Sequence, residues 1–187
     1  RAEPRTRDKL TASREAMDEA DDVSPDYSPA ETFAALAAAL TAYGVEGQVP
    51  EELECRRPFG PHQRPPQEPG IEEVTADQAL ELARRADGAI AADGHLPHAL
   101  GLEAGKIGAG SLLALFSQVY LDVVEDRLAD TYAVVLFASH PTENEAAIVE
   151  EVRGCKEWPV HRENLDMADL VEMTRLQMWT LKPARAR

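Results

Sequence analysis

Apolar residues recur at helical spacing in five stretches of the chain. Ser28-Pro29-Ala30-Glu31 opens the first. The serine hydroxyl can accept from the amide of residue 31, Glu31 can reach back, and Pro29 sits at the first helical position, where a missing N–H costs nothing. Phe33, Leu36, Ala37 and Leu40 follow at i, i+3, i+4 and i+7, and Gly44 ends the helix. Thr75-Ala76-Asp77-Gln78 repeats the capping pattern before Leu80, Ala83, Ala86 and Ile90, and Gly94 stops that helix. A third helix starts near Gly110-Ser111 and aligns Leu112, Leu115, Phe116, Val119 and Val123 on one face. Thr142-Glu143-Asn144-Glu145 predicts a fourth, running to about Arg153 and ended by Gly154. Asp166 to Met178 reads as a last amphipathic helix before Lys182-Pro183.

Strand signals are few. Tyr132-Ala133-Val134-Val135-Leu136-Phe137 is β-branched, aromatic and nearly continuous, which predicts a buried strand. Val160 suits a short extended piece. The predicted class is therefore α+β and mostly α: five or six helices with a small number of short strands.

The same pattern divides the chain. Residues 1–27 form a charged N-terminal arm in which Leu10 and Met17 make only a thin apolar stripe. Such an arm either docks on the body or on a neighbouring copy, making a homo-oligomer, or stays disordered. Residues 28–57 hold a helix and its exit. Pro58, Pro61, Pro65, Pro66 and Pro69 crowd twelve residues, so 58–70 is an extended connector. Residues 71–187 form the main α+β body. Gly47-Gln48-Val49-Pro50-Glu51-Glu52-Leu53 and Gly94-His95-Leu96-Pro97-His98-Ala99-Leu100 share the pattern G-x-φ-P-x-x-L, 47 positions apart. In each, glycine ends an Ala-rich helix and proline fixes an extended exit, as a duplicated helix–exit unit would require.

The second copy resembles a known family. Val74-Thr75, Gln78, Ala83, Ile90 and Gly94-His95-Leu96-Pro97, then Leu100, Leu102, Lys106-Ile107, Leu112-Leu113 and Phe116, look like a pseudomurein-binding repeat. That family's pattern is a helix, a G-x-L-P-x-x-V exit, a short G-K-x-V turn and an F/L-rich helix. The resemblance covers Val74 to Leu121, about a quarter of the chain. Most matched positions are apolar, Gly or Pro, and no ligand-contacting residue is carried over. The resemblance implies a small non-catalytic module that binds a cell-wall polymer.

Charge narrows the partners. Lys+Arg 19 against Asp+Glu 34 gives −15, which argues against nucleic-acid phosphate. The longest apolar runs, such as Leu112 to Phe116, fall far short of the about 20 residues that cross a bilayer, so no membrane insertion is expected. Another protein or a wall polymer is the expected partner. A chain that begins at Arg1 reads as part of a longer or processed protein. Arg1 to Asp22 is charged and lacks an apolar signal-peptide core, and the compartment stays open. Cys55 and Cys155 can bridge, stay free or bind metal, and spacing does not choose among these.

Candidate chemistry is sparse. Gly105-Lys106-Ile107-Gly108-Ala109-Gly110-Ser111 resembles a phosphate loop in composition only. Gly101 to Gly105 is one residue short, and Ile107 stands where Ser or Thr must hold Mg²⁺. Cys55 with His62 and Cys155 with His161 offer a Cys2His2 alternative, but at x6 and x5 spacings rather than the usual x2–4 and x3–5. Cys155 with His161 or His140 lacks any nucleophile signature. Trp158 and Trp179 are the two tryptophans. They either anchor the last helix or form an aromatic platform with His161, Arg175 and Lys182 as polar contacts. His95 and His98, flanking Leu96-Pro97, complete the candidate binding residues. No catalytic residue and no cofactor is expected. A non-catalytic binding module is the leading expectation, with an enzyme using a Cys/His or carboxylate site, or an oligomerisation domain, as the rivals.

Overall fold

A computed structural model describes residues 4–6, 27–66, 70–136, 145–154 and 167–182. Among these, five helices and six short strands follow one another as β1 (Pro4–Thr6), α1 (Pro29–Glu46), β2 (Glu52–Glu54), β3 (Glu73–Thr75), α2 (Ala76–Asp93), β4 (Ala99–Leu102), β5 (Gly105–Gly108), α3 (Ala109–Val124), β6 (Thr131–Ala133), α4 (Glu145–Gly154) and α5 (Met167–Gln177). The fold is α+β and mostly α. The N-terminal arm beyond β1, the capping box at residues 142–144 and Val160 lie outside the described residues.

Helix α1 is the centre. From Phe33 to Leu40 its sequence is apolar round the whole circumference, and such a helix has to be enclosed by others. Ala30, Phe33, Ala34, Ala35, Leu36, Ala37, Ala39 and Leu40 are all buried. The small alanines let α2 lie close alongside it, with Ala79, Leu82, Ala83, Ala86 and Ile90 facing inward. Leu80, expected on that face, is only partly buried and packs at its edge. Helix α3 closes the other side, where Phe33 and Phe116 meet edge to face with centroids 5.4 Å apart.

Both predicted capping boxes form. Ser28 Oγ accepts from Glu31 N at 3.2 Å and Glu31 Oε2 accepts from Ser28 N at 2.9 Å. Thr75 Oγ1 and Gln78 make the same exchange. Each helix runs 18 residues and ends on a glycine in the left-handed region, Gly47 (φ 72°) and Gly94 (φ 71°). Gly44, the expected stop, is interior to α1, which continues to Glu46 because only Gly47 takes the left-handed turn.

The strands form three two-stranded antiparallel pairs: β1 with β2, β3 with β6, and β4 with β5. In the second pair Val74 faces Tyr132. The long strand expected over 132–137 is the main correction. Pairing stops at Ala133, apart from Val134 N donating to Glu72 O at 2.7 Å, and Val135 and Leu136 are 52% and 65% exposed. The partner strand runs out, because Gly70 N bonds Lys106 O instead and leads the chain away to β5. The tempting Gly105–Gly108 segment is a hairpin strand. Its glycines let the connector pass, since a Cβ on Gly108 would stand 2.5 Å from Pro66 O.

The C-terminal segment returns to the start of α1. Val149, Val171 and Met178 are buried around α4 and α5, while Trp179 is the residue of this segment that joins the main core. Trp179 O accepts from Ala30 N at 2.8 Å. Trp179→Ala should lower the unfolding free energy by about 3–5 kcal/mol in urea titration. Trp179→Phe should cost far less, since the indole N–H has no hydrogen-bond partner among the described residues.

Tyr132 makes a second test. Its hydroxyl accepts from Ala129 N at 3.1 Å, and burial pushes the phenol above its ordinary value near 10. The folded state holds this proton more tightly than the unfolded state. That stability is fully present below about pH 10 and is lost as pH rises past it. Tyr132→Phe should shrink the alkaline loss while costing about 1 kcal/mol at neutral pH, read from denaturant midpoints across pH.

Candidate functional site

Helix α2 ends at Asp93, and the left-handed Gly94 turns the chain so that His95 folds back on the helix end. His95 Nδ1 donates to Asp93 O at 3.0 Å, which holds the ring in place. The proline-rich connector then crosses this exit. Phe59 N donates to Gly94 O at 2.9 Å and Leu96 N to Phe59 O at 3.0 Å, a one-residue parallel bridge between Phe59 and His95. Prolines suit this role, because they stiffen the segment and have no N–H that needs a ladder partner.

The bridge gathers three rings. Phe59 and His95 lie with centroids 5.2 Å apart, and His62 stacks on His95 at 3.6 Å with 27° between planes. His62 Nε2 lies 3.2 Å from Asp93 Oδ2, and His95 Nδ1 lies 4.0 Å from the same oxygen. Helix α5 forms the opposite wall with Met173, Leu176 and Gln177, and Thr180 follows it. Together they enclose an open depression of about 230 Å³ floored by Gly60 and Pro61. Phe59 is 65% and Met173 53% exposed, so both present apolar surface to solvent at the depression.

Gly60 decides how closely connector and helix approach. A Cβ there would stand 2.6 Å from Leu176 O and 3.0 Å from Trp179 Cβ. Arg56 pairs with Asp87 of α2, and Arg57 Nε lies 3.7 Å from the buried Glu31, so the connector is also held by charge. A second hollow, about 390 Å³, lies along Glu54, Arg56, Arg57 and Pro58. Its two arginines are those same ion-paired side chains.

The residues proposed from sequence fall in several places. His95 and His62 meet at the depression. His98 is half-buried further along the exit, its carbonyl accepting from Ala109 N at 3.1 Å. Arg175 pairs with Glu172 along α5 at 3.5 Å. Lys182 Nζ lies 3.0 Å from Glu31 Oε2, at the start of α1. Trp179 is fully enclosed, so its ring is core and presents no platform. Cys55 is half-buried and free, and it stands outside the histidine cluster. Trp158, His161, His140 and Cys155 lie outside the described residues. Phe59, Asp93 and Met173 are new. An aromatic set between Pro58 and Gly60, and an acid one position before the Gly94 cap, were the available signals.

Among the described residues, the lining holds no Ser or Cys nucleophile and no carboxylate pair. Thr180 Oγ1 donates to Gln177 O at 2.8 Å. No family model, curated protein or solved structure matches the chain.

Gly60→Ala should force connector and α5 apart and lower the melting temperature by several degrees, consistent with about 1–3 kcal/mol of overpacking. Gly88→Ala is the control. Gly88 lies within α2 with open space about it, so this change should raise the melting temperature by removing a helix-interior glycine.

Proposed function

We propose that this chain is a non-catalytic binding module that holds a cell-wall polymer at the depression between the connector, His95 and α5. The observation that carries the reading is that exposed Phe59 and Met173 both line one open hollow of about 230 Å³. Sites that engulf small molecules run to about 300–1,000 Å³ and cover most of the ligand. A smaller, open hollow suits one group of a long partner that continues past it. Sugar and peptide backbones both use apolar ring faces flanked by a few polar groups, the combination that Phe59, the stacked imidazoles, Gln177 and Thr180 provide.

The resemblance of Val74 to Leu121 to a pseudomurein-binding repeat supports a wall polymer as the partner. The two helix–exit units share their capping box, length and left-handed glycine at an offset of 47 residues. A duplicated unit accounts for all three, and its second copy supplies Asp93 and His95 to the site.

Co-sedimentation with insoluble pseudomurein and, separately, peptidoglycan tests the proposal. The chain should pellet with one or both. Phe59→Ala combined with Met173→Ala should reduce the bound fraction at least about tenfold, since losing two apolar contacts of about 1–2 kcal/mol each is worth that much. Both side chains are exposed, so circular dichroism should stay unchanged. Failure of the parent chain to pellet with either polymer defeats the wall-binding reading. Undiminished pelleting of the double variant moves the contact away from the depression.

A further inference from the structure

We propose that His62, Asp93 and His95 form a binding site for a borderline divalent transition-metal ion, with Zn²⁺ as the reference ion. The site shares His62 and His95 with the depression, but its argument does not rest on the polymer. Two imidazole nitrogens and one carboxylate oxygen, one ligand atom from each residue, all lie within 4.8 Å of one another. That donor set suits zinc, copper or nickel. Calcium and magnesium prefer all-oxygen shells.

Zinc bonds nitrogen and oxygen at about 2.0–2.2 Å in a tetrahedron, so neighbouring donors stand about 3.4 Å apart. His62 Nε2 and Asp93 Oδ2, at 3.2 Å, already meet that spacing. His62 and Asp93 are both more than half exposed, so small turns of their side chains bring the set to bonding distance around His95.

The backbone under the site is firm, which separates this cluster from an incidental meeting of surface groups. Asp93 is the last residue of an 18-residue helix, and Gly94 seals that helix with its N–H on Ile90 O. His95 is 26% exposed and is held by the Asp93 carbonyl and by the Phe59 bridge. A metal-binding imidazole needs such an orienting hydrogen bond on its ring. Moreover, the connector delivers His62 from 33 residues earlier in the chain, directly onto the His95 ring. The stack places two imidazoles beside one carboxylate, so the cluster gathers nitrogen donors without a second acid. Three protein ligands leave a fourth position for water, or for a donor from whatever fills the adjoining depression.

Isothermal titration of ZnCl₂ into the full chain, produced without a polyhistidine tag, tests the site. One ion per chain should bind. His62→Ala and His95→Ala should each weaken that binding at least about 100-fold, beyond the 10–100-fold typical of losing only a supporting hydrogen bond. Asp93→Asn should weaken it as well. Cys55→Ser combined with Cys155→Ser should leave it unchanged. His62→Ala is the decisive variant, because its side chain is exposed and carries little of the fold, and metal-free circular dichroism checks this. In parallel, the ring resonances of His62 and His95 should shift together on adding Zn²⁺. The proposal is overturned if the parent chain binds no ion, if His62→Ala binds as tightly as the parent, or if the cysteine double variant loses the ion.

Discussion

The start of α1 carries a carboxylate that is almost fully enclosed, and the fold is arranged so that this group is never left alone. Glu31 closes a capping box on Ser28, and its two oxygens face Lys182 from the C-terminal segment and Arg57 from the connector. A carboxylate taken out of water is costly unless cations and N–H donors surround it. The helix N-terminus supplies some of that compensation through its free amides. The rest comes from two segments that must therefore come back to the same point. The Trp179 carbonyl completes the arrangement by accepting from Ala30 N.

This convergence positions everything around the depression. With Trp179 seated in the core, α5 is placed across the connector, and Gly60 permits the approach. With Arg56 tied to Asp87 and Phe59 bridged to His95, the connector lies along the end of α2 as a packed strap. Prolines that read as a spacer in sequence thus become buried or half-buried walls, Pro58, Pro61 and Pro65 among them. The exposed rings and the donor cluster stand on backbone that is fixed on three sides, by a capped helix end, a bridge and a helix wall. A site held that way can keep apolar surface in water without collapsing around it.

Local chemistry made much of the helical frame legible. The Ser28 and Thr75 boxes, the Gly94 stop and the apolar face of α3 each depend on residues within one or two turns, and each stands where local chemistry places it. The strand over 132–137 shows the limit of such reading. Its composition favours extension, but a strand lasts only as long as its partner, and the partner leaves for β5 at Gly70. Gly44 and Gly47 differ in the same way: both can end a helix, and the one that takes positive φ is chosen by the path of the exit.

The amino-acid sequence by itself determined that α1 would be enclosed, that two capped helices would end on glycine before an extended exit, and that no long apolar span would form. Those are consequences of short-range sterics, hydrogen bonding and hydrophobic period. Tertiary structure alone decided that Trp179 is core while Phe59 and Met173 stay in water, and that His62 meets His95 instead of Cys55. Burial and ring stacking are set by which distant segments meet. Here the meeting is enforced by the need to compensate Glu31 and by the close approach that Gly60 allows, neither of which is a property of spacing along the chain.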